Sequence, residues 1–214
     1  MRKGLNAVGN ELIKGGYDAV FSLGDLCLGA IQMKKNNLRP FSGPLDWMGT
    51  PLLTSVIQLF EKRFSDFMLL ENLRIVGYAT DKMLLVSDDR NLVMSNHDFD
   101  TANNSLNQLT AYPSVKEKLD RRVNRLLDRL MTAQRILFVR TNATLEDTAE
   151  LQRVLRSIIA NDFRILVVNH GPVSGIVEKH WPIDDVYSVE LPDGEIWEGN
   201  NALWAQLFQD VHLI

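Results

Sequence analysis

Tyr17-Asp18-Ala19-Val20-Phe21-Ser22-Leu23-Gly24-Asp25-Leu26-Cys27 runs from an apolar stretch, through a glycine, into a segment with helical spacing. The run Ala19-Val20-Phe21 with Leu23 is nearly continuous, the pattern of a strand covered on both sheet faces, so residues 17–23 are predicted as a buried strand. Beyond it Leu26, Ala30 and Met33 share one helical face over residues 26–35, and Asn36-Asn37 supplies the stop. Cys27 therefore falls at the start of a helix, where unpaired N–H groups and the positive end of the helix dipole favour thiolate over thiol. A single cysteine with histidines elsewhere is a nucleophile pattern; the competing reading is a small buried hydrophobe.

Working outward, residues 5–14 are expected to form a short leading helix ended by Gly15-Gly16. Residues 38–47, with two prolines, a glycine, Arg39, Asp46 and Trp47, are expected to be an ordered loop of the kind that carries function. Thr50-Pro51 reads as N-cap and first position of a helix reaching about residue 63. Residues 83–86 and 92–94 read as a hairpin, with His97 just after it. The stripe Val115, Leu119, Val123, Leu126, Leu127 and Leu130 marks a helix over 115–131. Its other face carries Arg121, Arg122, Arg125 and Arg129, with Glu117, Asp120 and Asp128 within pairing reach, which reads as a solvated face. Strands at 135–140, 163–169 and 186–191 then alternate with helices at 145–160 and 201–210. The chain is expected to be a single α/β domain spanning 1–214: a mostly parallel sheet with helices on both faces, a Rossmann-like three-layer sandwich with a small β-hairpin insertion.

The 214 residues are 45% hydrophobic and 23% charged, enough for one substantial core, and the formal charge of −4 argues against a nucleic-acid protein. Asn6, Asn10, Glu11 and Lys14 interrupt any signal-peptide core, and no stretch is apolar enough to span a bilayer, so cytoplasmic residence is the expectation. One cysteine excludes an intrachain disulfide, and no His-x-x-x-His spacing occurs, so neither a structural zinc site nor any other cofactor is expected. A small-molecule or peptide substrate is the expected partner; the sequence does not fix the oligomeric state.

Ligands of open α/β sheets bind outside the carboxyl ends of the strands. Those ends carry Asp25 and Cys27 after the first strand, Arg140, Thr141 and Asn142 after the 135–140 strand, and Asn169 and His170 after the 163–169 strand. Parallel pairing would gather these groups in one crevice, with Ser22, Asp25, Arg39, Arg140, Asn142 and His170 as candidate substrate-binding residues. Two histidines compete as general base. His97 has carboxylates and carboxamides around it in Asn96-His97-Asp98, and His170 has the strand-end position.

The blocks Ser22-Leu23-Gly24-Asp25-Leu26-Cys27, Gln32-Met33-Lys34-Lys35, Leu38 through Trp47, His97-Asp98-Phe99 and Lys116-Glu117-Lys118 with Arg121-Arg122 resemble a bacterial domain family described as papain-like cysteine peptidases. The resemblance implies Cys27 as nucleophile and His97 as base, with Asp46 as orienting carboxylate and Asp98 as its rival. It implies a cysteine-dependent hydrolase or acyltransferase acting on an amide, ester or thioester. The C-terminal alternation of strand and helix departs from a papain-like pattern. Two other classes remain: a sugar- or nucleotide-binding α/β domain in which Arg39, Arg140 and Asn142 hold the ligand, and a non-catalytic interaction module. A Gly-Asp-Ser esterase would lack its nucleophile, because Leu26 stands at the serine position.

Overall fold

A computed structural model describes residues 10–214. A 3₁₀ turn at Asn10–Ile13 leads into β1 (Gly15–Tyr17) and β2 (Ala19–Ser22), followed by α1 (Leu28–Lys35). An insertion then carries β3 (Met48–Gly49), α2 (Leu53–Glu61), β4 (Leu73–Thr80), β5 (Met83–Asp88) and β6 (Val93–Ser95). The chain continues through α3 (Tyr112–Thr132), β7 (Arg135–Thr141), α4 (Leu145–Ile158), β8 (Asp162–Gly171), β9 (Val177–Lys179), β10 (Val186–Pro192), α5 (Asn201–Leu207) and β11 (Val211–Leu213).

The central sheet has the order β2-β7-β8-β10-β9. The first four strands run parallel, in registers such as Phe21 beside Phe138 and Phe138 beside Ile165. Alternation on β7 explains why its sequence reads as unbroken hydrocarbon. Ile136 and Phe138 enter a core shared with residues of α2, α3 and α4, while Leu137 and Val139 enter a second core with Leu28 and Met33 of α1 and Trp204 and Leu207 of α5. The first core is stacked with aromatics: Phe138 lies against Phe21, Phe60 and Phe163 at centroid distances of 6.3, 6.1 and 6.2 Å.

The α/β architecture with helices on both faces agrees with the sequence, but the sheets are mixed, so the Rossmann-like description is corrected. β9 runs antiparallel to β10, and the insertion is a four-stranded antiparallel sheet of order β3-β6-β5-β4 where only a hairpin was expected. Strand β4 escaped because Val76 and Tyr78 face solvent around Gly77, and two register irregularities against β5 break its period. The leading-helix expectation falls partly on residues 5–9, outside the described residues; within them Asn10–Ile13 is a single 3₁₀ turn and Gly15–Tyr17 a strand pairing parallel with β11. Thr50 does not cap α2, whose N-cap is Leu52, because its hydroxyl is engaged elsewhere. Among the described residues no helix is long and apolar enough to cross a membrane.

Candidate functional site

Between β2 and α1 the chain must reverse within Leu23 to Leu26, and it does so with two successive left-handed residues, Gly24 at φ 79° and Asp25 at φ 76°. Aspartate tolerates that region better than most side chains, and glycine enters it freely. The turn is fastened by Thr50, whose Oγ1 accepts from the Asp25 N–H at 2.6 Å. Arg140 at the end of β7 locks Thr50 in turn. This guanidinium is fully buried, and it donates to Leu23 O (3.0 Å), Thr50 Oγ1 (2.8 Å), Thr50 O (2.8 Å) and Asn142 O (3.3 Å). Burial pulls its pKa down to about 10, so it stays charged at neutral pH.

Cys27 emerges from this turn as the N-cap residue of α1, where Ile31 N–H donates to its carbonyl at 3.0 Å. The helix-start placement expected from sequence is therefore present. The residue as a whole retains 8% exposure. Desolvation pushes the thiol pKa up, its own backbone N–H opposes that, and the Asp46 and Asp98 carboxylates raise it further. Cys27 therefore rests as a neutral thiol, with carboxylates among its neighbours, and needs a base before it can attack.

Asp46 is almost wholly buried. Its Oδ2 accepts from Arg39 Nε (2.6 Å) and Gly43 N–H (2.8 Å), while its Oδ1 is buried with no hydrogen-bond partner. Arg39 also donates to Ser42 Oγ at 2.7 Å and lies over the Trp47 ring at 5.0 Å. His97, exposed, meets the same Trp47 ring edge-on at 5.4 Å. Asp98, 7% exposed, accepts from Ser95 Oγ at 2.8 Å and pairs with Lys118 Nζ at 2.7 Å, with Arg122 at 3.9 Å. Lys118 and Arg122 of α3 thus turn inward to Asp98, while Arg121 pairs with Glu117 on the surface as expected and Lys116 pairs with Asp120.

The other candidates make their hydrogen bonds elsewhere or lie inside the fold. Ser22 is buried and its Oγ accepts from Gly24 N–H at 3.2 Å. Asp25, Thr141, Asn142 and His170 gather at the carboxyl edge of β2, β7 and β8, where the crevice was expected. Asn169 is occupied by a reciprocal pair of hydrogen bonds with the Ala143 backbone, both 2.8 Å. Sequence reasoning missed Thr50 as the knot of the turn, because Thr-Pro reads equally well as a helix start. It also missed Lys118 and Arg122 as the counter-charges of Asp98, although their i,i+4 spacing places them on one face. Among the described residues no group of His, Cys, Asp and Glu side chains could hold a metal ion.

A family model described as "Putative papain-like cysteine peptidase (DUF1796)" matches residues 18–172, from β2 to just past β8. The chain belongs to this family. The match takes in both the Cys27 turn and the insertion that carries Asp46 and His97. The chain is also similar to "Uncharacterized protein R408" of Acanthamoeba polyphaga mimivirus, with 26% identity covering 89% of this chain and 97% of that protein. That relative is viral and gives no support to the expected bacterial setting. No solved structure gives a significant match.

Proposed function

We propose that this member of the cysteine-peptidase-like family is a cysteine-dependent hydrolase or acyltransferase in which Cys27 is the nucleophile, His97 the general base and Asp46 the orienting carboxylate. The observation that carries the reading is Asp46 Oδ1, a buried carboxylate oxygen without a partner, whose charge raises the Cys27 thiol pKa and whose neighbour in sequence, Trp47, meets His97 edge-on. A buried acceptor left unmet is costly, and an imidazole N–H is the donor such a site lacks.

In this scheme the imidazole of His97 takes the Cys27 proton and the sulfur attacks the carbonyl carbon of an amide, ester or thioester. The first N–H groups of α1 stabilise the oxyanion. Collapse breaks the bond to the amine, alcohol or thiol, which leaves with the proton from the imidazolium. Water or a second acceptor then takes the acyl group from sulfur. Arg39 serves as a positioning residue, since it fixes Asp46 through Oδ2 and leaves Oδ1 free.

Reaction with an electrophilic acyl probe is the test. Labelling is expected at Cys27, absent in Cys27→Ala and slowed by roughly a hundredfold or more in His97→Ala, the usual weight of a general base. Labelling that persists in Cys27→Ala, or an unchanged rate in His97→Ala, would remove the proposed pair.

The raised thiol pKa gives a separate expectation. Alkylation of Cys27 by iodoacetamide should rise with pH about a midpoint above the ordinary thiol value of about 8.5, since only the thiolate reacts. Asp98→Asn removes a negative charge that opposes ionisation, so its midpoint should move down, toward the ordinary value. A wild-type midpoint at or below about 8.5 would contradict the electrostatics described for the turn.

A further inference from the structure

The polar groups at the carboxyl edge of the parallel sheet form a cluster that the thiol chemistry does not use. Asp25 follows β2, Thr141 ends β7 with Asn142 just after it, and His170 lies near the end of β8, so three adjacent strands deliver a carboxylate, a hydroxyl, a carboxamide and an imidazole to one place. The groups are poorly satisfied by one another. The Asp25 carboxylate is held only by long contacts, Thr141 Oγ1 to Oδ2 at 3.4 Å and Asn142 Nδ2 to Oδ1 at 3.5 Å, and His170 Nε2 is buried with no partner. Both backbones are held left-handed, Asp25 at φ 76° and Asn142 at φ 57°, a conformation that costs free energy and that the fold maintains here on two neighbouring strand ends. Asp25 and His170 are half-buried, so desolvation pushes the Asp25 carboxyl up and the His170 imidazole down, while Asn142 is exposed at the rim.

Charge decides what such a site can take. Arg140 lies under the cluster but is fully buried, with its donors directed at Leu23, Thr50 and Asn142 oxygens. It cannot reach out to a phosphate. The other charges that act on His170 are the carboxylates of Asp25 and Asp193. An anion would therefore meet carboxylates without a facing cation. A ligand that is neutral and rich in hydroxyls suits the groups present: hydroxyls donate to Asp25, exchange bonds with the exposed Asn142 amide in both directions, and pack against the half-buried His170 imidazole.

We propose that Asp25, Asn142 and His170 form a binding site for a neutral sugar ring, built from groups that the Cys27 chemistry does not use and selective against phosphate and nucleotides. The site does not depend on Cys27 being catalytic.

The test follows the imidazole C–H resonances of the full chain by NMR, with the His170 signal assigned by its loss in His170→Gln. Glucose, galactose and N-acetylglucosamine are titrated separately, with inorganic phosphate and AMP as the anionic arms. At least one sugar is expected to shift the His170 signal, with a dissociation constant on the order of 1 mM. Asp25→Asn, which keeps the left-handed backbone accessible, is expected to weaken that binding roughly tenfold by removing a charged acceptor. Cys27→Ala is expected to leave it unchanged. A His170 shift with phosphate or AMP in place of the sugars, no shift with any sugar, or a sugar shift that survives Asp25→Asn undiminished would each overturn the proposal. Loss of the sugar shift in Cys27→Ala would overturn the independence of the two sites, while failure of acyl labelling at Cys27 would leave the sugar titration unaffected.

Discussion

Arg140→Met is expected to destabilise the protein by roughly 3 kcal/mol, read as a fall of roughly 6–12 °C in Tm for a chain of this size. Methionine fills much of the same volume, so the loss is not mainly a cavity. It arises because Thr50 O loses its donor inside the protein, where water does not replace it, and Leu23 O is left with only the long 3.4 Å contact from Thr50 Oγ1. Part of this is offset, since the variant no longer keeps a guanidinium out of water, the cost that pulls the Arg140 pKa down to about 10. Arg140→Lys is expected to recover little. A single ammonium cannot span acceptors on β7, on the Leu23 turn and on Thr50 at once, whereas the planar fork of arginine does so with fixed geometry. The effect should extend to chemistry, because the turn that aims Cys27 is held through Thr50; acyl labelling of Arg140→Met is expected to slow even at temperatures where it remains folded. A Tm change within about 2 °C of wild type would show that the clamp contributes no net stability.

Arg140 also illustrates what could be read from the chain and what could not. Its position at a strand end, beside Cys27 and Asp25, follows from the alternation of apolar runs and amphipathic helices, because buried parallel strands carry an unmistakable continuous pattern, as in Ile136-Leu137-Phe138-Val139. The direction of its side chain does not follow. Whether an arginine at a strand end faces a ligand or threads under a loop depends on Thr50, 90 positions away, and no local pattern encodes that pairing. The same holds for the insertion. The β5 and β6 hairpin was legible from its short apolar runs, but β3 is two residues long and β4 has one solvated face, so their pairing rests on the packing of Met48, Leu84, Val86 and Val93 into the core rather than on period. At the site, the sequence picked out Cys27 at a helix start and brought Asp46 and His97 into consideration. The Trp47 ring that lies between Arg39 and His97, and the free oxygen of Asp46, are tertiary facts.

Gly24→Ala is expected to cost roughly 3 kcal/mol, for two separable reasons. The residue sits at φ 79°, where a side chain adds about 1–2 kcal/mol of strain. A Cβ there would also fall 2.4 Å from Thr50 Oγ1, so the threonine must move, and with it go the bonds to Asp25 N–H and to Arg140 Nη1. Gly175 separates the two contributions. It has φ 70° but nothing within 4 Å of an added Cβ, so Gly175→Ala should show the backbone cost alone, about 1 kcal/mol. If both glycine variants lose the same stability, the contact with Thr50 is not tight and the clamp is looser than the geometry implies. Because Gly24→Ala and Arg140→Met disturb one set of hydrogen bonds around Thr50, their effects should not add: the double variant is expected to fall short of the sum by roughly 1 kcal/mol or more, whereas Gly175→Ala combined with Arg140→Met should be additive within about 0.5 kcal/mol. Coupling of that size would make Gly24, Thr50 and Arg140 a single device that sets the position of the thiol, and its absence would mean that the turn holds its shape without the arginine.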